Sequence, residues 1–184
     1  MARIRLPAEP LVDGETVLRP WRDSDLRALV EACQDPEISR WTRVPPNYGE
    51  TDARAYLLQR YDMTFQGRAA PFAIVGASDG TLLGSVALIR IEWEHRRAEV
   101  GYWLARAARG QGHATRAVRL ICDWGVRALG LERLVLLAAT ENRSSQRVAE
   151  RAGFTPEAVL RSYMQARQER QDMVAYRLLA GDNT

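Results

Sequence analysis

The feature that most restricts this chain is Arg109-Gly110-Gln111-Gly112-His113-Ala114, set between two segments of different periodicity. Before it, Ala98-Glu99-Val100-Gly101-Tyr102-Trp103-Leu104 is short and largely apolar, the pattern of a buried strand. After it, Ala117, Val118, Ile121, Trp124 and Gly125 recur at helical spacing within Ala114–Leu129 and predict an amphipathic helix. A strand that turns through glycines into a helix leaves the first N–H groups of that helix without internal partners, at the positive end of its dipole. Such a turn suits an anion, phosphate above all. Gly110 and Gly112 carry no side chain that would hold an anion away, and Arg109 adds a charge suited to phosphate oxygens.

Three kinds of phosphate-binding turn share these glycines. A Walker A loop requires a lysine, and the chain contains none. A dinucleotide fingerprint requires G-x-G-x-x-G/A, whereas Gly110-Gln111-Gly112-His113-Ala114-Thr115 ends in threonine. The fingerprint also calls for an acid about 20 residues on, and the acid after the next strand, Glu141, lies well beyond that. The third pattern is Q/R-x-x-G-x-G/A, which Arg109, Gly112 and Ala114 fit position for position. Downstream stand Asn142-Arg143-Ser144-Ser145 and Ala149-Glu150-Arg151-Ala152-Gly153-Phe154. With the Ala98–Leu104 strand, these resemble the signature of the GNAT acyltransferases, specifically the RimJ/RimL-like branch. The resemblance runs more loosely from about Thr16 to Leu179.

Length and composition agree with one domain over residues 1–184, its ordered core spanning about 14–180. No run approaches a membrane span, and Met1-Ala2-Arg3-Ile4-Arg5-Leu6-Pro7 lacks the apolar centre of a signal peptide, so a cytoplasmic protein is expected. Cys33 and Cys122 fall in separate predicted helices without a nearby histidine, the pattern of buried small hydrophobes rather than of a disulfide, metal pair or nucleophile. His95 and His113 are too few and too separated for a metal site. All 26 basic residues are arginine, which excludes a Schiff base to pyridoxal phosphate and a P-loop ATPase. They are scattered rather than clustered, which argues against nucleic-acid binding.

In chain order, residues 1–15 read as a loosely held lead-in. Thr16-Val17-Leu18-Arg19-Pro20 reads as a short strand closed by its proline, and a helix capped by Asp23 or Ser24 is expected to run to about Gln34, ended by Asp35-Pro36. Residues 37–50 read as an irregular loop on the acceptor side of the site, with Trp41 and Tyr48 as candidate substrate contacts. Thr51 is expected to cap a second helix to about Gln66. Phe72–Gly76 and Leu82–Ile91 are strands joined by the turn Ser78-Asp79-Gly80. The strand Leu134–Ala139 follows the glycine turn and its helix in a β-α-β crossover, which implies a parallel or splayed pair. Ser144 or Ser145 is expected to cap the next helix. A last hairpin pairs Val159–Met164 with Met173–Leu179 across a polar loop, 165–171. The fold class is therefore mixed α/β: a largely antiparallel twisted sheet of about six to seven strands, splayed between the fourth and fifth, with helices on both faces.

What the resemblance implies is an N-acetyltransferase that moves an acetyl group from acetyl-CoA directly to a primary amine, with no metal. The acceptor is a protein N-terminus, a polyamine or another small amine; a homodimer is in keeping with the branch. Backbone groups near Tyr102, Trp103 and Leu104 would pair with pantetheine and supply the oxyanion donor. The turn Arg109, Gly110, Gln111, Gly112, His113 and Ala114 would hold the pyrophosphate, with no separate role for the His113 side chain, and Asn142 would bond pantetheine. Glu99 is the expected general base. A carboxylate inside an apolar strand either faces a cavity or bears a desolvation cost of several kcal/mol, and partial burial would raise its pKa towards neutral. Its structural alternative is an ion pair with an arginine on a neighbouring strand. The tyrosine that many GNAT enzymes use as acid is replaced here by Ala149, which leaves Ser145 as the candidate acid as well as a candidate helix cap. Tyr163 and Tyr176 are reserves, and Asp172 either orients substrate or braces the hairpin. Three other readings stay open: transfer of another acyl group such as succinyl, a CoA-binding sensor without catalysis, and a dinucleotide oxidoreductase.

Overall fold

The computed structural model describes residues 4–166 and 169–182. The elements are β1 (Leu11–Asp13), β2 (Thr16–Arg19), α1 (Leu26–Cys33), α2 (Pro36–Trp41), α3 (Glu50–Phe65), β3 (Ala70–Gly76), β4 (Leu82–Glu92), β5 (Arg97–Leu104), α4 (His113–Leu129), β6 (Arg133–Ala139), α5 (Arg143–Arg151), β7 (Thr155–Ala166) and β8 (Glu169–Leu179). Short 3-10 turns precede α1 and α4. The strands form one sheet in the order β1-β2-β3-β4-β5-β6-β8-β7. Every neighbouring pair is antiparallel except β5–β6, which is parallel. No helix among the described residues is long and apolar enough to cross a membrane.

The sheet has eight strands rather than six or seven. The additional one is β1, in the stretch read as a loose lead-in, which a two-residue turn at Gly14 (φ 56°) folds back on β2. Ile4 is also drawn into the main core at 7 % exposure. Three residues of strand are too few for periodicity to reveal. Helices cover both faces. On one side α4 packs Ala117, Val118, Ile121, Trp124 and Gly125 onto the sheet, the face that their spacing predicted. A Cβ at Gly125 would lie 2.9 Å from Leu88 Cδ1, so this glycine lets the helix lie close to β4. Phe72 and Trp124 meet edge to face at 5.3 Å. On the other side α1 and α3 close a smaller core around Trp21, Leu29, Cys33, Tyr48 and Leu57.

Several expected boundaries move for local reasons. The carboxylate of Asp25 accepts two hydrogen bonds from Arg19 (2.7 Å each) and one from the Arg22 N–H (2.9 Å), so a 3-10 turn Asp23–Asp25 precedes α1 and neither Asp23 nor Ser24 caps it. Asp35-Pro36 ends α1 and also starts α2, which lies inside the stretch read as irregular. Asp35 Oδ1 accepts the Glu37 N–H at 3.1 Å, and proline occupies the first turn, where its missing N–H costs nothing. Helix α3 begins at Glu50 with Gly49 as its cap, not at Thr51. The Ser78-Asp79-Gly80 turn forms as predicted, with Asp79 Oδ1 accepting the Thr81 N–H. The last hairpin is longer than expected: most of the polar loop is strand, and residues 167 and 168 of it lie outside the described residues. Asp172 braces this hairpin. It accepts the Ser162 N–H at 2.7 Å and pairs with Arg161, which holds a bulge in β7 where Ser162 has φ 50°.

Candidate active site

Strand β5 sets the site. Ala98, Val100, Tyr102 and Leu104 belong to the α4-side core, and alternation turns Glu99, Gly101 and Trp103 towards α3. Along its β4 edge the strand pairs from Glu92↔Arg97 to Gly84↔Leu104. Along its β6 edge the registered pairs are Arg97↔Arg133, Ala98↔Leu134 and Glu99↔Val135. Beyond Glu99 the two strands part, and a cleft of about 1200 Å³ opens between them, reaching both faces of the sheet. This is the splay expected between the fourth and fifth strands read from sequence. It leaves the backbone of Gly101–Leu104 facing the cleft.

Contact across the β4 edge is tight at the same place. A Cβ on Gly84 would stand 2.2 Å from the Trp103 carbonyl oxygen, a backbone atom that yields only if the strand moves. Gly84→Ala should therefore lower stability by about 1–3 kcal/mol, the usual cost of overpacking. Chemical denaturation measures it, and an unchanged midpoint would mean the strands separate freely.

The glycine turn ends at the first residue of α4. Gly110 (φ 80°) and Gly112 (φ 82°) are both left-handed, and Gly112 caps the helix without any side-chain bond to its first N–H groups. Those donors remain open towards the cleft, which Gly110, Gly112 and Ala114 line. The Arg109 charge, expected to meet an anion, is engaged within the protein instead. Arg109 donates through Nε (3.2 Å) and Nη2 (2.9 Å) to the Leu104 carbonyl and forms a 2.8 Å ion pair with Asp35. Its charge thus ties the turn to the end of β5 and to the cap of α2. Gln111 donates to the Ala107 carbonyl at 2.8 Å and does not line the cleft. His113 points into the core at 4 % exposure, its Nδ1 2.9 Å from Thr16 Oγ1; burial, then the Arg116 charge, push its pKa down. Neither residue lines the cleft. Sequence reading missed Arg116, which bonds the Gln111 carbonyl (2.7 Å) and Thr16 Oγ1 (3.0 Å) and so clamps the turn. Its only signal was its place one helical turn after Gly112.

Opposite β5, Asn142 is the cap of α5: its Oδ1 accepts the Ser145 N–H at 3.0 Å. Neither Ser144 nor Ser145 serves as the cap. That leaves the Ser145 hydroxyl free for other work, and it accepts a hydrogen bond from Tyr102 Oη at 3.1 Å. Burial pushes the Tyr102 phenol up to about 12. Asn142, Ser145 and Tyr102 all line the cleft. Tyr163 is exposed, and Tyr176 hydrogen-bonds Glu150 at 3.3 Å.

Glu99 lies at the base of the splay, its side chain 17 % exposed, and Arg90 Nη1 is 2.5 Å from its Oε2. The neighbouring-strand ion pair posed as the structural alternative therefore exists, on a carboxylate that also lines the cleft. Arg90 reaches it from a bulge in β4, with φ 51°, a region that costs a non-glycine residue on the order of 1–2 kcal/mol. Trp41 lines the cleft with Nε1 donating to Glu37 at 3.1 Å. Tyr48 does not: it is 4 % exposed within the smaller core, where burial raises its pKa, so it anchors the α2–α3 loop rather than meeting substrate. Cys33 and Cys122 are free and buried, and burial pushes the Cys33 thiol up to about 12. No cluster of three metal-ligating side chains occurs among the described residues.

Comparison with known proteins meets this geometry. Residues 15–155 match the acetyltransferase (GNAT) domain family. An uncharacterized N-acetyltransferase of Bacillus licheniformis is 29 % identical over 171 residues, covering 93 % of this chain and 96 % of that protein. The spermidine N(1)-acetyltransferase of Escherichia coli K12 is 30 % identical over 143 residues, 78 % of this chain and 74 % of its own. Among solved structures, RimJ of Mycobacterium smegmatis in complex with CoA-disulfide superposes with a TM-score of 0.84 at 24 % identity, covering 91 % of this chain and 83 % of that one. The chain belongs to the GNAT acetyltransferase family and is an acyl-CoA-dependent N-acetyltransferase.

Proposed function

We propose that acetyl-CoA lies in the splay, its pantetheine along the open edge of β5 and its pyrophosphate on the first turn of α4, and that the acceptor amine enters beside Glu99. The observation that supports this most is the single cleft joining the helix-opening turn, the β5 edge of Gly101–Leu104 that has no β6 partner, and the Glu99 carboxylate.

In this arrangement a neutral amine attacks the thioester carbonyl. The new C–N bond forms as the C–S bond breaks, and a β5 backbone N–H near Tyr102–Leu104 donates to the carbonyl oxygen as it gains charge. Glu99 takes the proton from the nitrogen, directly or through one water. In this reading Ser145 donates to the departing sulfur; support comes from Tyr102, protonated at neutral pH, which donates to Ser145 in turn. A thiolate is a good leaving group, so this last donation adds less than the base does. Arg109 acts through position alone, holding the turn against Leu104 and Asp35.

A thermal-unfolding scan with acetyl-CoA, succinyl-CoA, NADH and no ligand tests the binding half of the reading. A ligand at about a hundred times its Kd adds roughly 2.7 kcal/mol. For a chain of this length that raises Tm by roughly 5–10 °C. The rise is expected with acetyl-CoA and not with NADH, and a larger rise with succinyl-CoA would reassign the donor. No rise with any CoA would remove the phosphate-turn reading.

A further inference from the structure

The acceptor half of the cleft has its own charge pattern, set by α3. Asp52, Ala55, Tyr56, Gln59, Arg60 and Met63 recur three or four residues apart and form the face of α3 that lines the cleft. Two contacts set how this face lies over the sheet. Tyr56 Oη is 3.2 Å from Ser85 Oγ, and past the helix the Gly67 carbonyl accepts Trp93 Nε1 at 2.8 Å. Arg60, one helical turn after Tyr56, lines the same cleft as Glu99, which pairs with Ile89 of β4.

The three carboxylates lining the cleft are already engaged. Glu37 accepts from Trp41 and pairs with Arg40 at 3.5 Å, Asp52 accepts the Gly49 N–H at 2.9 Å, and Glu99 pairs with Arg90. Of the arginines that line the cleft, Arg90 and Arg109 have carboxylate partners, and others do not. Among the described residues Arg60 has no carboxylate partner: its guanidinium lies 4.5 Å over the Tyr56 ring and its buried Nε has no hydrogen-bond acceptor. Arg43, at the exposed rim of the same cleft, also lacks an ion pair.

We infer that the acceptor is an amine whose own molecule carries an anion, a carboxylate or phosphate, that Arg60 reads while the nitrogen faces Glu99. This rests on the assignment of the Glu99 side of the cleft to the acceptor. Arg60 on α3 and Glu99 on β5 line the same cleft, one from the helix that covers the sheet and one from the sheet itself. A planar guanidinium backed by an aromatic ring is a well-held partner for a carboxylate. A polyamine would instead bring its second cation against Arg60 with no free carboxylate to receive it.

The test is the initial rate of CoA release from acetyl-CoA with 5-aminopentanoate, its primary amide and 1,5-diaminopentane. A parallel set of three tripeptides differs only in a central glutamate, glutamine or lysine, and shows whether the anionic amine is a small molecule or a peptide N-terminus. In at least one set kcat/KM should fall from acid to amide to base by about tenfold or more between the extremes, as for a charge-assisted hydrogen bond against a like-charge contact. Arg60→Gln should bring that ratio within about twofold of unity and Arg60→Lys should restore part of it, with the Tm rise on acetyl-CoA unchanged in both. Preference for the diamine or the lysine peptide, or an acid preference that survives Arg60→Gln, overturns the inference. If no amine is acetylated, the same six compounds are added to the CoA-saturated protein. A further Tm rise with the acids, lost in Arg60→Gln, upholds the anion site and rejects catalysis there; its absence rejects the anion site.

Discussion

Glu99→Gln lowers kcat at saturating acetyl-CoA by at least about a hundredfold, the usual weight of one general base. The substitution keeps the shape of the side chain, and its amide oxygen can still accept from Arg90, so the bulge in β4 is retained. What it removes is the capacity to take a proton from the attacking nitrogen. The Tm rise on acetyl-CoA should be unaffected, because in the proposed arrangement Glu99 meets the acceptor while CoA rests on the glycine turn, which Arg109 and Arg116 hold. A loss confined to kcat, with donor binding intact, is the pattern of an interaction made in the transition state. Unchanged turnover would leave Glu99 as a purely structural partner of Arg90 and would move the base to water.

The second large effect is on stability. Asp25→Ala strands Arg19, a guanidinium whose side chain is only 11 % exposed and whose two strongest bonds go to that carboxylate. Breaking one half of a buried ion pair costs about 3–5 kcal/mol. At roughly 2–4 °C per kcal/mol for a chain of this size, Tm falls by roughly 6–20 °C. Replacing both residues with apolar side chains of similar volume should cost much less, since no charge is then left alone. The pair also has a pH signature. Burial alone would raise the Asp25 pKa, but the hydrogen bonds from Arg19 and from the Arg22 N–H outweigh it and hold the folded-state value below the ordinary one. A depressed carboxylate contributes its full stability above its unfolded pKa, about 3.9, and loses it as pH falls through the folded value. The gap in Tm between the wild type and Asp25→Ala should therefore be constant near neutrality and narrow below about pH 4. A gap that persists unchanged in acid would show that the cost lies in packing around Asp25 rather than in its charge.

The fold was legible where one residue type does one thing. Two left-handed glycines between an apolar strand and an amphipathic helix admit few structures, and the splay followed from the crossover that joins β5 to β6. Residues with two uses were less legible. Asp35-Pro36 reads as a helix stop and is equally a helix start. Asn142 offers an oxygen that caps α5 before any ligand is present, which frees Ser145 for Tyr102. Trp41 and Tyr48 stand seven positions apart in one irregular-looking stretch, and only the packing of α1 against α3 decides that one meets the cleft and the other the core. Arg109 and His113 flank the same glycines, yet one guanidinium is taken up by Leu104 and Asp35 and the imidazole turns away to Thr16. Arg60 gave no signal at all, because an arginine on a helix with few buried residues is ordinarily a solvated one.

The short junction between β5 and β6 has a further consequence. An unpaired strand edge at the perimeter of a sheet invites another chain to add to it, and proteins blunt such edges with charges, bulges or covering elements. Here an unpaired edge lies in the interior, along Gly101–Leu104, walled by α4 and α5 on one face and by α3 on the other. Enclosed in this way, the edge is not offered at the perimeter, where the strand of another chain would add to it. Something slender and unbranched that carries its own amides can lie there, so the fold keeps a strand's capacity for pairing while withholding it from other strands.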